Sequence, residues 1–267
     1  MVKESAFYKR ISAYFDKDSK DYDQRYESNP VLHHIRESFR EETEGASFTE
    51  ILEIGCGTGY DIDYFATQYP KARVSGIDVS PEMVRLATKK NKRHAHVTIK
   101  VGTPEVLGKL FGKRKFDLIY CYFGALNTVP DLKAIAKQLR THLADDGVMV
   151  LTFINRWYAF DVLFGLLTLR PRFAFGRLSG AWAGYSPKRK LASTCRSPRE
   201  IKRAFGDLFI MEKHHSYSIL HPAWYRAHWP LAKGSVGHVL WKADDFLRKT
   251  PLRDLGEYSL YIFRPKS

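Results

Sequence analysis

Glu53, Gly55, Gly57 and Gly59 stand at alternate positions in ILEIGCGTGYDIDYF (Ile51–Phe65), and Asp78 closes the later stretch ARVSGID. Glycine, lacking a Cβ, lets backbone approach a ligand closely. A carboxylate just upstream in the same apolar run repels a pyrophosphate and welcomes an ammonium group. A second carboxylate, at the end of the next apolar run, can accept both hydroxyls of a ribose. The dinucleotide fingerprint G-x-G-x-x-G requires glycine at its sixth position, where this chain has Tyr60. The set asks for a nucleoside with a cationic amino-acid tail and no phosphate.

Such residues need a strand–turn–helix frame, and residues 50–154 supply one. Short apolar runs at Ile51–Gly55, Ala72–Asp78, His96–Val101, Phe116–Tyr122 and Gly147–Ile154 read as strands. Helical patterns lie between them, from Tyr60 to Gln68, after the cap Ser80 with Pro81 at its first position, and from Asp131 to Leu143. Near-continuous apolar strands separated by helices imply a parallel sheet covered on both faces. Phe209–Ser218 and Glu257–Arg264 add two later strands, and SPRE at 197–200 has the capping-box order.

In this order LEIGCGTGY, GIDVSPEMV and FDLIYCYFGALNTV resemble class I S-adenosylmethionine-dependent methyltransferases of the small-molecule type. The resemblance covers about 50–154 and the closing strand YSLYIFR. It implies a Rossmann-like, doubly wound α/β fold with seven strands, mostly parallel, and an antiparallel last strand. It also implies S-adenosylmethionine as cofactor, with S-adenosylhomocysteine as product. Gly55, Cys56, Gly57 and Gly59 would then lie along the methionine part, and Glu53 near its amino group. Asp78 would hold the ribose hydroxyls, and Val79 and Met83 the adenine face. Thr103, beside Pro104 in VGTPEVL, stands where family members often carry aspartate. Tyr122 would line the methyl-transfer position. The segment YFDKDSKDYDQRYESNPVLHHIRESF is similar to helical caps in the family, with Tyr14, Tyr22 or Tyr26 near the sulfonium. The chain accordingly divides into a cap (1–49), a cofactor-binding core (50–154), a basic and aromatic lid (155–206) and final strands (207–267) interrupted at about 219–256.

Methyl transfer is a displacement, so alignment and exclusion of water are the protein's main tasks. A hydroxyl acceptor benefits from a general base, whereas an amine need only arrive deprotonated. Among His33, His34, His214, His215, His221, His228 and His238, the candidate for catalysis is His221, with Tyr225, in SILHPAWYRAHWP. That composition suits a wall for an apolar acceptor and also suits a second small core. The acceptor is expected to be small and hydrophobic or lipid-like, methylated on oxygen or nitrogen.

Charge and composition bound the remaining options. The chain has 267 residues, 44% of them hydrophobic, and a net charge of +14. The basic excess concentrates after residue 154, and 155–199 holds nine basic residues against the single acid Asp161, interleaved with Trp, Phe and Leu. Such a segment reads as an interfacial element for an anionic membrane, or as a lid with its arginines in water. Methylation of RNA or DNA is the first alternative, but YCYFGALN lacks the Asn/Asp-Pro-Pro-aromatic run of base-amine enzymes and Cys121 lacks a preceding proline. A non-catalytic S-adenosylmethionine-binding subunit is the second. Three scattered cysteines offer no zinc pattern, and no metal is expected. A charged N-terminus without an apolar signal core predicts a cytoplasmic protein.

Overall fold

The computed structural model describes residues 2–45, 47–179, 181–182, 191 and 193–266. Seven strands form one sheet: β1 (Glu50–Ile54), β2 (Arg73–Asp78), β3 (Val97–Val101), β4 (Phe116–Cys121), β5 (Leu143–Ile154), β6 (Phe209–Tyr217) and β7 (Tyr258–Pro265). Their order is β3-β2-β1-β4-β5-β7-β6. The first five run parallel, and β7 is antiparallel to both of its neighbours. This is the doubly wound Rossmann-like sheet that the resemblance implies, with its parallel part as the strand pattern predicts.

Alternation along the strands divides the core between the two faces. Ile51 pairs in register with Leu118, and Leu52 with Ile119. Ile51, Leu118 and Val150 join one buried cluster, whereas Leu52, Ile119 and Leu151 join the other. Helices α1 (Val2–Asp18), α2 (Tyr22–Glu27), α3 (Pro30–Thr43), α4 (Tyr60–Gln68) and α5 (Pro81–Lys90) are followed by α6 (Leu107–Phe111) and α7 (Leu132–His142). The cluster of Ile51 takes Val31, Ile35 and Phe39 from α3 and Phe65 from α4. The opposite cluster takes Ile135 and Leu139 from α7, with Ile201 and Phe205 from a later helix.

Local chemistry explains the helix starts. Asn29 Oδ1 accepts the Val31 and Leu32 N–H groups ahead of Pro30. Ser80 Oγ accepts the Met83 N–H at 3.1 Å, with Pro81 in the first turn. Asp131 caps α7 in the same way. One boundary differs from the sequence pattern. Asp145-Asp146-Gly147 reads as a turn, yet β5 already begins at Leu143, which pairs with Phe116 across a register shift in β4. Pairing with a neighbouring strand here overrides the local turn signal.

Beyond the five parallel strands lie α8 (Ala159–Leu167), α9 (Pro171–Ala174), α10 (Pro198–Phe205) and α11 (Gly234–Leu247). α10 opens with the expected capping box between Ser197 and Glu200. α8 is anchored by buried charge: Asp161 pairs with Arg177 at 3.1 Å and with Arg226 at 2.7 Å, and Arg177 also reaches Glu257 at 3.4 Å. The basic run SPKRK at 186–190 lies outside the described residues. Among the described residues, no helix is long and apolar enough to cross a membrane.

Candidate active site

In open α/β sheets, ligands bind at the carboxyl ends of the strands where the order reverses. Here that point lies between β1 and β4, and a cleft opens there, about 1190 Å³ including the open solvent at its mouth. Its floor comes from Gly55 and Gly57 after β1, Asp78 and Val79 after β2, Gly102, Thr103 and Pro104 after β3, and Tyr122 and Phe123 after β4. Met83 of α5 completes the floor. Its roof is Tyr8, Ile11, Phe15 and Asp18 of α1 with Tyr22 and Tyr26 of α2. The far wall is apolar, with Leu32, Val129, Trp224 and Tyr258.

The loop after β1 is shaped by left-handed glycines. Gly55 has φ +74°, and a Cβ there would clash with the Ala125 Cβ. Gly59, at φ +81°, begins α4 against α5, where a Cβ would meet Asn91 Nδ2 at 2.7 Å and the Ala87 Cβ at 3.0 Å. Gly59 thus sets the helix packing and does not itself line the cleft. Asp78 Oδ2 accepts the Gly57 N–H at 2.9 Å, and Oδ1 accepts the Ser80 N–H at the same distance. Burial pushes the Asp78 carboxyl up to about 6 against these hydrogen bonds. Ser80 Oγ in turn donates to Asp16 Oδ1 of α1 at 2.6 Å, so the roof is tied to the floor.

A smaller recess adjoins the glycine loop, lined by Glu53, Cys56, Gly57, Thr58, Tyr22 and Arg36 among others. Tyr120 Oη donates to Glu53 Oε2 at 3.0 Å. Burial and the nearby Asp61 push the Glu53 carboxyl well above the usual range. Arg36 is buried, pairs with Asp61 at 2.9 Å and stacks on the Tyr26 and Phe123 rings. Its Nε makes no hydrogen bond. A buried guanidinium N–H without a partner, facing a buried carboxylate across one recess, matches the carboxylate and ammonium of an amino-acid tail. Glu53 and Arg36 would hold that tail, and Asp78 the ribose, of S-adenosylmethionine.

The chain is similar to several known proteins. The family model described as "Methyltransferase domain" matches residues 51–147. That stretch of the chain is therefore a methyltransferase domain. Relatives of this chain include the malonyl-(acyl-carrier protein) O-methyltransferase of Bacillus cytotoxicus. It is 30% identical over 149 residues, which are 54% of this chain and 50% of that protein. The dTDP-4-amino-2,3,4,6-tetradeoxy-D-glucose N,N-dimethyltransferase of Saccharopolyspora spinosa is 33% identical over 111 residues, 40% of each chain. The chain therefore spans half or less of the length of these curated relatives. Its fold is similar to the N-methyltransferase NodS of Bradyrhizobium japonicum WM9 in complex with S-adenosyl-L-homocysteine. There the TM-score is 0.58 at 14% identity, covering 96% of this chain and 98% of that one.

Of the residues singled out from the sequence, the cleft gathers Tyr22, Gly55, Gly57, Asp78, Val79, Met83, Thr103, Pro104 and Tyr122. Glu53 and Cys56 line the recess. Burial pushes the Tyr22 phenol up to about 12. Tyr122 contributes its ring while its hydroxyl is turned away, 2.5 Å from Thr43 Oγ1 and donating to the Phe39 carbonyl at 3.1 Å. Tyr14 packs with Ile11 and Leu191 instead.

His221 and Tyr225 are absent from both linings. The His221 ring stacks on Trp241 at 3.8 Å, with Nδ1 2.8 Å from the Pro222 carbonyl oxygen, and burial pushes the imidazole down to about 4. The Tyr225 hydroxyl accepts from Arg177 Nη2 at 2.8 Å, within the buried ion network under α8. Of the two readings open for this histidine-rich segment, the second small core describes where both side chains sit. The sequence reading overlooked Arg36, because an arginine in RESFREET looks like a solvated helix face. The missed signal was Asp61 in the first turn of α4, an acid that receives both Arg36 and Arg40.

Proposed function

We propose that this chain transfers a methyl group from S-adenosylmethionine to an oxygen or nitrogen of a small, hydrophobic or lipid-like acceptor met at an anionic bilayer face. Residues 1–49 act as its cap and 155–206 as its lid. The observation that carries the reading is the continuity of one cleft, from Asp78 and Met83 past the glycine loop to the wall of Leu32, Val129, Trp224 and Tyr258. When bound, the cofactor supplies an electrophilic methyl on a sulfonium.

The chain's own part is positioning. Asp78 accepts the ribose hydroxyls, Val79 and Met83 pack on the adenine, and Thr103 and Pro104 close its edge. Glu53 and Arg36 fix the tail. Tyr22 and Tyr122 shield the reacting centre from water. Among the described residues, no histidine, glutamate, lysine or cysteine lines the main cleft. Of its two carboxylates, Asp18 is paired with Arg25 at 2.6 Å and Asp78 is held by backbone N–H groups. A cleft with no available base favours an acceptor that brings its own lone pair, either a free amine or an ionised oxygen. The activities for which the Bacillus and Saccharopolyspora relatives are named, one on oxygen and one on nitrogen, are consistent with both.

Calorimetry tests the first half of the reading: S-adenosylmethionine and S-adenosylhomocysteine should bind, and Asp78→Ala should weaken both. Transfer of a labelled methyl group tests the second, with alkyl-chain carboxylates, phenols, amines and alcohols as acceptors. Carboxylates, phenols or amines should be methylated in preference to alcohols. Binding of neither cofactor form would sink the proposal, and transfer confined to alcohols would sink the acceptor assignment.

A further inference from the structure

The α8–α9 hairpin carries an apolar surface that the methyl-transfer site does not use. Its inner side is closely packed: a Cβ at Gly165 would lie 2.6 Å from the Ala174 backbone nitrogen. Phe160 and Phe164 stack on each other and pack against Trp229. The Asp161–Arg177 and Asp161–Arg226 pairs fix the base. On the outer side Leu163, Leu166, Phe173 and Phe175 are exposed, and Leu167 and Leu169 at the tip are 84% and 89% exposed. Leu169 sits in the left-handed region at φ 55°, turning the chain at that tip. Arg170 and Arg172 are exposed beside these residues, and no acidic residue occurs from Val162 to Leu178.

From this juxtaposition we infer that the α8–α9 tip is a docking surface for an anionic lipid bilayer. The inference deepens the acceptor reading above and rests on it for the bilayer's role as acceptor source. A hairpin of this size, with α8 only nine residues long, is far too short to span the membrane. Apolar side chains flanked by arginines suit the boundary between acyl chains and headgroups, with the guanidinium groups on lipid phosphates. A second copy of the chain on the same face would bring like-charged arginines together about a twofold axis. The base of the hairpin also adjoins the cleft. Ala223 packs with Tyr158 and Phe160, and its chain neighbour Trp224 lines the cleft wall. A lipid-like acceptor leaving the bilayer at the tip would meet that wall first.

The test uses the full chain and co-sedimentation with vesicles of phosphatidylcholine, with and without phosphatidylglycerol. The wild type should sediment with the phosphatidylglycerol vesicles at low salt and be released at high salt. The double variant Leu167→Glu/Leu169→Glu should lose roughly tenfold or more in vesicle affinity, as two apolar anchors become charged. Arg170→Glu/Arg172→Glu should remove the preference for phosphatidylglycerol. Both variants should keep wild-type affinity for S-adenosylhomocysteine by calorimetry, which separates lost docking from lost folding. Vesicle binding by a wild type that binds no cofactor would leave the docking surface standing and remove the enzymatic reading alone. Three results would overturn the inference: no vesicle binding at low salt, binding indifferent to phosphatidylglycerol, or a dimer in sedimentation velocity that the leucine variant dissolves while vesicle binding is unchanged.

Discussion

The Gly57 N–H donates to Asp78 Oδ2 at 2.9 Å, so the loop after β1 and the acid ending β2 form one hydrogen-bonded unit. Asp78→Ala removes the acceptor proposed for the ribose and leaves that N–H without its partner. S-adenosylmethionine affinity should fall about 10- to 150-fold, the equivalent of the 1.5–3 kcal/mol of a charged hydrogen bond. Calorimetry reads this directly.

Acidity acts on the same residue with two opposite signs. Burial raises the Asp78 carboxyl from its ordinary 3.8 to about 6. Between these values the folded chain holds the proton more tightly than the unfolded one, so Asp78 favours folding of the ligand-free protein most at low pH. That contribution is lost as pH rises through about 6. Ribose recognition needs the ionised form, so cofactor affinity should be level above about pH 7 and fall up to about tenfold per unit below 6. Asp78→Asn should flatten the affinity profile; an unchanged slope would exclude Asp78 as its source.

Arg36→Gln separates cofactor binding from folding. Asp61 would still be held by Arg40 Nε at 2.8 Å, so no buried acid is stranded. Affinity for S-adenosylhomocysteine should drop about tenfold or more, with a modest loss in Tm. Equal affinity in wild type and variant would remove Arg36 from the tail site.

Gly59→Ala should act on stability first. A left-handed alanine costs about 1–2 kcal/mol, and crowding against Ala87 adds about 1–3 kcal/mol. Urea denaturation should show a lower midpoint with an unchanged slope.

Asp161→Leu should loosen the region around α8. It removes the carboxylate that pairs with Arg226 at 2.7 Å while Arg177 keeps Glu257 at 3.4 Å, and stranding a buried charge costs about 3–5 kcal/mol. Hydrogen exchange should quicken in Ala159–Leu167 while β1–β4 stay protected.

The parts of the fold legible in the sequence were those whose signal is local. β1 runs into its glycine turn with every residue after Glu50 buried, and α4, α5 and α10 begin at side-chain or glycine caps readable from a few residues. Other features depend on what lies across the molecule. Arg36 is polar by type and becomes a buried element of the recess because Asp61 comes to meet it. Phe123, left-handed at φ 52°, presents its ring to the cleft in a backbone state that no propensity for phenylalanine would suggest. His221 resembled a catalytic base by its neighbours in sequence, yet its neighbour in space is Trp241.

α2 lies over the glycine loop, with Tyr22 against Gly57, and polar contacts near the surface hold it down. Asp23 accepts from Thr58 Oγ1 at 2.5 Å and from Lys90 Nζ at 2.8 Å, and Glu27 accepts from Tyr60. Such contacts break and re-form cheaply and are weakened by salt. A clasp of this kind would act as a turnstile: S-adenosylhomocysteine in the cleft could leave only once α2 lets go, and an ionic latch would then help to set the pace of its exit. Added salt should then speed turnover until cofactor retention begins to fail.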